Sequence, residues 1–158
     1  MNLIKDFKEE FTLSDKSIWF SDSYDLETIN ARGKGTLVEH VDIVVTEKGP
    51  NFLVGTMPVD ERTVQPARIL HGGASCVLAE SLGSIAANMV IDPQKSVAVG
   101  LSITASHIRP GLNGTRVTGK AVAQHIGSKT QVWDIEITNE QGKLVCTSKL
   151  TMAIIDKP

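Results

Sequence analysis

The residues best suited to chemistry lie between Gln65 and Ser84. His71-Gly72-Gly73 opens a stretch that turns helical from Ala74. A helix start carries unpaired N–H groups and the positive end of the macrodipole. Two glycines there let the main chain approach a carbonyl closely and hold the oxyanion that develops on it. Glu80 comes about two turns later, roughly 10 Å along the axis, among Ala79, Leu82, Gly83 and Ala86. A carboxylate buried without a partner is costly, and a chain that keeps one there tends to use it. The plainer alternative is a solvated glutamate and an ordinary Gly-Gly turn. At 10 Å, one helix does not easily bring carboxylate and oxyanion donor onto one small substrate. Either the substrate spans the gap, or a second copy of the helix supplies the other half, reciprocally in a two-fold dimer.

The elements that must position these groups can be read from periodicity. Ala74, Val77, Leu78, Leu82, Ile85 and Met89 recur at three and four residues and predict a helix running to about residue 90. Glu80 lies off that stripe, with Cys76, Gly83, Ser84 and Ala87 on its own face. Pro66 keeps Gln65 extended. Residues 25–31 read as a short helix with Asp25 as cap and Gly33 as stop, plugging one end of a sheet. Residues 36–47 read as a strand, Val41, Ile43 and Val45 alternating with His40, Asp42 and Val44. Lys48-Gly49-Pro50-Asn51 turns it into a second strand over 52–59. Four more strands are expected, over 96–108, 116–123, 131–138 and 144–154. Two strands, one long helix and four strands imply an α+β fold in which a curved antiparallel sheet of about six strands wraps one central helix. Residues 1–17 read as a charged arm or short helix, and 18–158 as one domain.

Bulk properties narrow the function classes. The 158-residue chain is long enough for one core, and its net charge of −2 gives no support to nucleic-acid or membrane-surface binding. No apolar run is expected to span a bilayer, and the charged first ten residues do not read as a signal peptide. Cys76 in the helix and Cys146 in a strand read as reduced thiols, which favours the cytoplasm. His40, His71, His107 and His125 are scattered, without metal-ligand spacing, so no metal site is expected.

Gln65-Pro66, His71-Gly72-Gly73-Ala74-Ser75, Leu78-Ala79-Glu80 and Gly83-Ser84 together resemble the active-site segment of hotdog-fold acyl-CoA thioesterases. The resemblance is to the 4-hydroxybenzoyl-CoA thioesterase, or PaaI-like, type, which includes 1,4-dihydroxy-2-naphthoyl-CoA hydrolases and the enterobactin-pathway proofreading thioesterase. Further matching segments are Thr56-Met57-Pro58-Val59-Asp60 with Arg62-Thr63, residues 100–109, and His125-Ile126-Gly127-Ser128 with Gln131-Val132-Trp133. The resemblance implies the hotdog fold and thioester hydrolysis with water as second substrate, so no cofactor is called for. It implies that Glu80 attacks the thioester carbonyl or activates water, and that the Gly72 N–H polarises the C=O. Gln65 and His71 would position that carbonyl, and Ser84 would assist the carboxylate. It places the site at a homodimer interface, Glu80 and Ser84 facing Gln65, His71 and Gly72 of the other subunit, with dimers pairing into tetramers. It also implies coenzyme A contacts from Gly73, Gly100, the His107-Ile108-Arg109-Pro110 turn and the loop of His125, Ile126, Gly127, Ser128, Lys129 and Thr130. Arg109 and Lys129 suit phosphates by charge, and the 127–128 backbone by its N–H groups.

One departure from that pattern is Ala67-Arg68, where relatives carry a bulky residue and then glycine. Ala67 leaves more room for the acyl group. Arg68 adds charge near the mouth and disfavours positive φ. The acyl group itself, aromatic or medium-chain, on coenzyme A or a carrier protein, is not fixed by these residues. A hotdog hydratase would want a histidine on the helix after His71, and the chain has none there. A non-catalytic acyl-CoA-binding module would leave Glu80 without a task.

Overall fold

The computed structural model describes residues 17–157. The expected arm at 1–17 therefore lies, but for its last residue, outside the described residues. Two short helices come first, α1 over Leu26–Ala31 and α2 over Leu37–His40. Strands β1 (Val44–Lys48) and β2 (Phe52–Pro58) come next, then the long helix α3 over Gly72–Val90. Strands β3 (Ser96–His107), β4 (Arg116–Ile126), β5 (Thr130–Thr138) and β6 (Leu144–Asp156) complete the chain. All six strands form one antiparallel sheet in the order β1-β2-β4-β5-β6-β3, with β1 and β3 as its edges. This is the expected hotdog architecture, a curved sheet around one helix.

Helix and sheet approach each other closely because small residues meet between them. Gly55 and Gly119 face each other across β2 and β4. A Cβ on either would stand 2.7 or 2.8 Å from a Leu82 methyl, so the missing side chains leave the hollow that Leu82 fills. The side of α3 against the sheet holds Ser75, Leu78, Ala79, Leu82, Gly83, Ala86, Ala87 and Met89. This arc is rotated from the stripe read in the sequence. Ala74, Val77 and Ile85 are only half-buried, because they lie to one side of the arc that the sheet covers. By length and composition α3 could cross a bilayer, contrary to the expectation from sequence. Here its apolar side is taken up by the sheet.

The two edges are each clipped by an asparagine. The Asn30 amide accepts from the Val45 N–H and donates to the Val45 carbonyl, at 2.8 and 2.9 Å, closing β1. Asn88 does the same for Ala98 at the start of β3, both bonds being 2.9 Å. Beyond Ala98 the β3 edge is open, and Leu101, displaced by a bulge between Gly100 and Ser102, is 65% exposed.

Three expectations are corrected. Residues 36–47 are not one strand: Thr36 caps α2 through a bond from the Val38 N–H, and β1 begins only at Val44. The alternation of buried Val41, Ile43 and Val45 survives through irregular backbone that includes Asp42 at φ 54°. β4 runs on past residue 123 through a bulge, so His125 and Ile126 belong to the strand and only 127–129 turn. Arg68 does adopt positive φ, at 60°. The Arg68 N–H bonds the Gln65 carbonyl at 2.8 Å, and the Gln65 N–H bonds the Ile69 carbonyl at 2.9 Å. That pair of bonds closes a three-residue hairpin loop over Pro66, Ala67 and Arg68, whose last residue must be left-handed. Arginine there is strained by about 1 kcal/mol. Replacing Arg68 by Gly is expected to raise stability by about 0.5–1 kcal/mol, read as an upward shift in thermal midpoint. An unchanged or lower midpoint would contradict the strain.

Candidate active site

The hairpin and the helix start build the centre of the site together. His71 is the N-cap of α3: its Nδ1 accepts from the Gly73 N–H at 2.8 Å. The Ala74 and Ser75 N–H groups both reach the His71 carbonyl, at 2.9 and 3.2 Å. The His71 N–H is fixed on the Thr63 carbonyl at 2.8 Å. Among the described residues, the Gly72 N–H is thus the one donor of the first turn without a partner. Because Nδ1 is an acceptor, a neutral His71 carries its proton on Nε2 and donates outward.

Gln65, Ile69, Gly72, His107 and Arg109 line one open cleft of about 380 Å³, with Ile108 and Pro110 at its rim. Gly72 lets His107 come close: a Cβ there would stand 2.7 Å from His107 Nε2 and would push that ring aside. The Arg109 guanidinium is anchored to the Leu144 carbonyl at 2.9 Å, and the Ile108 and Arg109 N–H groups to that of Val145. Six sequence-derived site residues therefore line this cleft, and His71 and Gly73 adjoin it at the helix start.

The others stand apart in one chain. Glu80 is exposed, not sunk among Ala79, Leu82, Gly83 and Ala86, all of which turn to the sheet. Its carboxylate lies over Gly100, where a Cβ would come within 2.6 Å of Oε1, and it takes no hydrogen bond from any described residue. Gly100 thus serves the carboxylate in this chain. Ser84, one turn on and half-buried, opens into a separate cleft with Asn88 and Ser96. His71 and Gly73 face a third cleft, on the other side of the helix start. The 127–129 turn is far from Arg109. Thr130 pairs with Ala153 while Arg109 is bound to Val145, and those positions are about 25 Å apart along β6. Lys129 is paired with Asp156 at 3.0 Å, an exposed pair that separates easily. The Gly127 N–H is already bound to the Thr130 carbonyl.

Cys76, one turn before Glu80, is the nearest competing nucleophile. Burial, then the neighbouring Cys146 and Glu80, push its thiol up from the ordinary value, which leaves it protonated and inert. Neither cysteine is in a disulfide.

Residues 67–146 match the Thioesterase superfamily. The 1,4-dihydroxy-2-naphthoyl-CoA hydrolase of Escherichia coli is 49% identical over 130 residues, which cover 82% of this chain and 94% of that one. A Pseudomonas aeruginosa thioesterase, solved with one glutamine replaced by alanine, superposes with a TM-score of 0.86 at 42% identity, covering 89% of this chain and all of its own. A Staphylococcus aureus thioesterase has been solved with a glutamine at its position 32 replaced by alanine, and separately with a glutamate at its position 47 replaced by alanine. Those structures match at TM-scores of 0.72 and 0.74 with 36% identity, each covering 77% of this chain and 98% or more of their own.

Replacing Cys76 by Ser is expected to leave thioester turnover within about threefold of the starting protein. A collapse in kcat would make the thiol part of the chemistry.

Proposed function

The chain belongs to the thioesterase superfamily and is a thioester hydrolase; from that premise we propose that it cleaves aromatic or medium-chain acyl-CoA thioesters at a site shared between two subunits. The observation that carries this reading is the Gly72 N–H, the one donor of the helix start left free for a carbonyl. Gln65 and the Nε2 proton of His71 stand beside it to orient the thioester. Glu80, with Ser84 a turn away, attacks the carbonyl or draws a proton from water. The separation of Gln65 and Glu80, fifteen residues, equals that between the glutamine and glutamate replaced in the Staphylococcus aureus relative. Each is a residue whose removal was of interest there.

A dimer supplies what one chain lacks. The β3 edge beyond Ala98 is long and, among the described residues, unpaired on its outer side, and such an edge invites another strand. Antiparallel pairing of two copies about a two-fold axis sets the Gly100 end of one strand beside the His107 end of the other. Glu80, lying over Gly100, then approaches the cleft of the partner's Gly72 and Gln65. The same operation brings the 127–129 turn toward the partner's Arg109, so the two expected contacts to coenzyme A act on one nucleotide. The name of the Escherichia coli relative supports an aromatic acyl group on coenzyme A. A reducing cytoplasm suits two unpaired cysteines.

Thiol release from benzoyl-CoA, a hydroxybenzoyl-CoA and hexanoyl-CoA tests the chemistry. Glu80→Gln is expected to lower kcat by about 10²–10⁴ with little change in thermal midpoint. A loss below tenfold would remove Glu80 from the reaction. Subunit exchange tests the geometry: Glu80→Ala and Gln65→Ala, each nearly inactive, should recover about a quarter of wild-type activity when mixed, because one site of each hybrid is intact. No recovery after demonstrated exchange would confine the site to one chain.

A further inference from the structure

The cleft that Ser84 opens into lies toward the far end of α3 from the hairpin and measures about 400 Å³. Ile85, Pro93 and Val97 give it an apolar wall. Two cations stand in it: Arg32, the C-cap of α1, and Lys157, just past the end of β6. Neither is paired with a carboxylate among the described residues. The acids flanking the cleft are already taken, Asp156 by Lys129 at 3.0 Å and Asp92 by Lys95 at 3.3 Å.

Both cations are held in place without being used up. The Arg32 guanidinium lies 5.0 Å over the buried ring of Tyr24, and stacking of that kind leaves its N–H fork free for a planar anion. Lys157 Nζ donates to the Pro93 carbonyl at 2.7 Å, which spends one of its three N–H groups. Asn88, also in the wall, has nothing left to offer: its amide is spent on the Ser84 carbonyl and on both main-chain groups of Ala98. Lys157, bound beside Pro93, stands past the last residue of α3, Val90. Glu80 lies ten residues before that end, about 15 Å along the axis. The cleft thus leads from the turn after the carboxylate, over an apolar wall, to two cations with unspent donors. Arg109 and the 127–129 turn, expected to hold the nucleotide, have no part in its wall.

We propose that this cleft receives the far end of the acyl group, and that Arg32 and Lys157 select acyl chains that end in a carboxylate. This deepens the acyl-CoA reading and rests on it. The carbonyl is attacked at Glu80, and the chain runs on past Ser84 and Ile85. An extended carbon chain advances about 1.2 Å per bond. Roughly eight to ten carbons therefore bring a terminal carboxylate within reach of the two long side chains. A shorter chain would leave its charge against Ile85 and Val97, where an unpaired anion is unfavourable.

The test compares kcat/KM for the mono-CoA thioesters of adipic, suberic and sebacic acids with that for hexanoyl-, octanoyl- and decanoyl-CoA. It is run in wild type, Arg32→Met, Lys157→Met and the double variant, each of which keeps an apolar stem. Inhibition by free coenzyme A is measured in parallel. In wild type the ratio of carboxylated to uncharged substrate should rise from six carbons to ten. At ten carbons each single variant should lower that ratio by about fivefold, and the double variant by about twentyfold, the scale of partly exposed charge-assisted bonds. The uncharged substrates and free coenzyme A should stay within about twofold of wild type. An unchanged ratio in either single variant that keeps its thermal midpoint overturns the assignment. Weaker inhibition by free coenzyme A, matching the loss on carboxylated substrates, gives the cations to the nucleotide's phosphates and overturns it as well. No turnover of any thioester by wild type overturns the acyl-CoA reading and this inference with it.

Discussion

Leu82 enters a hollow that exists only because Gly55 and Gly119, paired across β2 and β4, carry no side chains. Burying a leucine in this way contributes about 1.5–3 kcal/mol, but its larger consequence is geometric. The contact fixes how deeply α3 sits in the sheet and how it is rotated. Gly83, the next residue, lies against Leu150, where a Cβ would stand 2.5 Å from a methyl. With residues 82 and 83 turned to the sheet, Glu80 must turn away, toward β3. There Gly100 leaves room for its carboxylate. Depth, rotation and the direction of the acid all descend from one packing contact.

The edges of the sheet decide what the acid meets next. Asn30 and Asn88 perform the same operation, a side-chain amide pairing with both main-chain groups of one strand residue. At β1 the amide covers the second residue of a five-residue strand, and little edge remains. At β3 it covers the third residue of twelve, and the rest stays open. An exposed edge is a hazard unless it has a use. The open part of β3 is also the part that borders both Glu80 and His107. Asn88 therefore marks where any added strand must stop, short of residues 96–98.

Much of this could be read from residues, and the exceptions have physical causes. His71-Gly72-Gly73 announced the helix start because few residue types meet both demands made there, a cap on one side and close approach on the other. The strands were legible where alternation was regular. Residues 37–40 were not, because Thr36 can cap a short turn of helix inside a pattern that still alternates. Glu80 looked buried because its sequence neighbours are apolar, yet on a helix those neighbours point elsewhere. Arg68 looked unable to take positive φ, and the hairpin imposes it regardless: the bonds from the Arg68 and Gln65 N–H groups leave no other geometry. The cleft that His71 and Gly73 face left no local signal, since its walls come from α2, β2, the 62–64 connection and α3. Asn30 and Asn88 gave none either, because their partners are 15 and 10 residues away in sequence.

The division of labour at the helix start explains why a histidine, rather than serine or aspartate, makes a suitable cap. Any of the three could accept the Gly73 N–H. Aspartate would place a negative charge beside the free Gly72 N–H and would oppose any charge developing on a carbonyl bound there. Serine would satisfy the cap with a short side chain and contribute little beyond it. Histidine accepts through Nδ1 and, by that bond, commits its proton to Nε2 on the opposite side of the ring. The cap therefore does two things through one residue. It removes the Gly73 N–H from competition, leaving Gly72 as the single donor, and it aims a second neutral donor outward. Two donors without a fixed negative charge between them form a place where a carbonyl can gain charge. The first turn of α3 carries no acidic residue that could attack such a carbonyl or activate water against it. Glu80, held over Gly100 by the depth of α3, lies apart from that pair of donors within one chain.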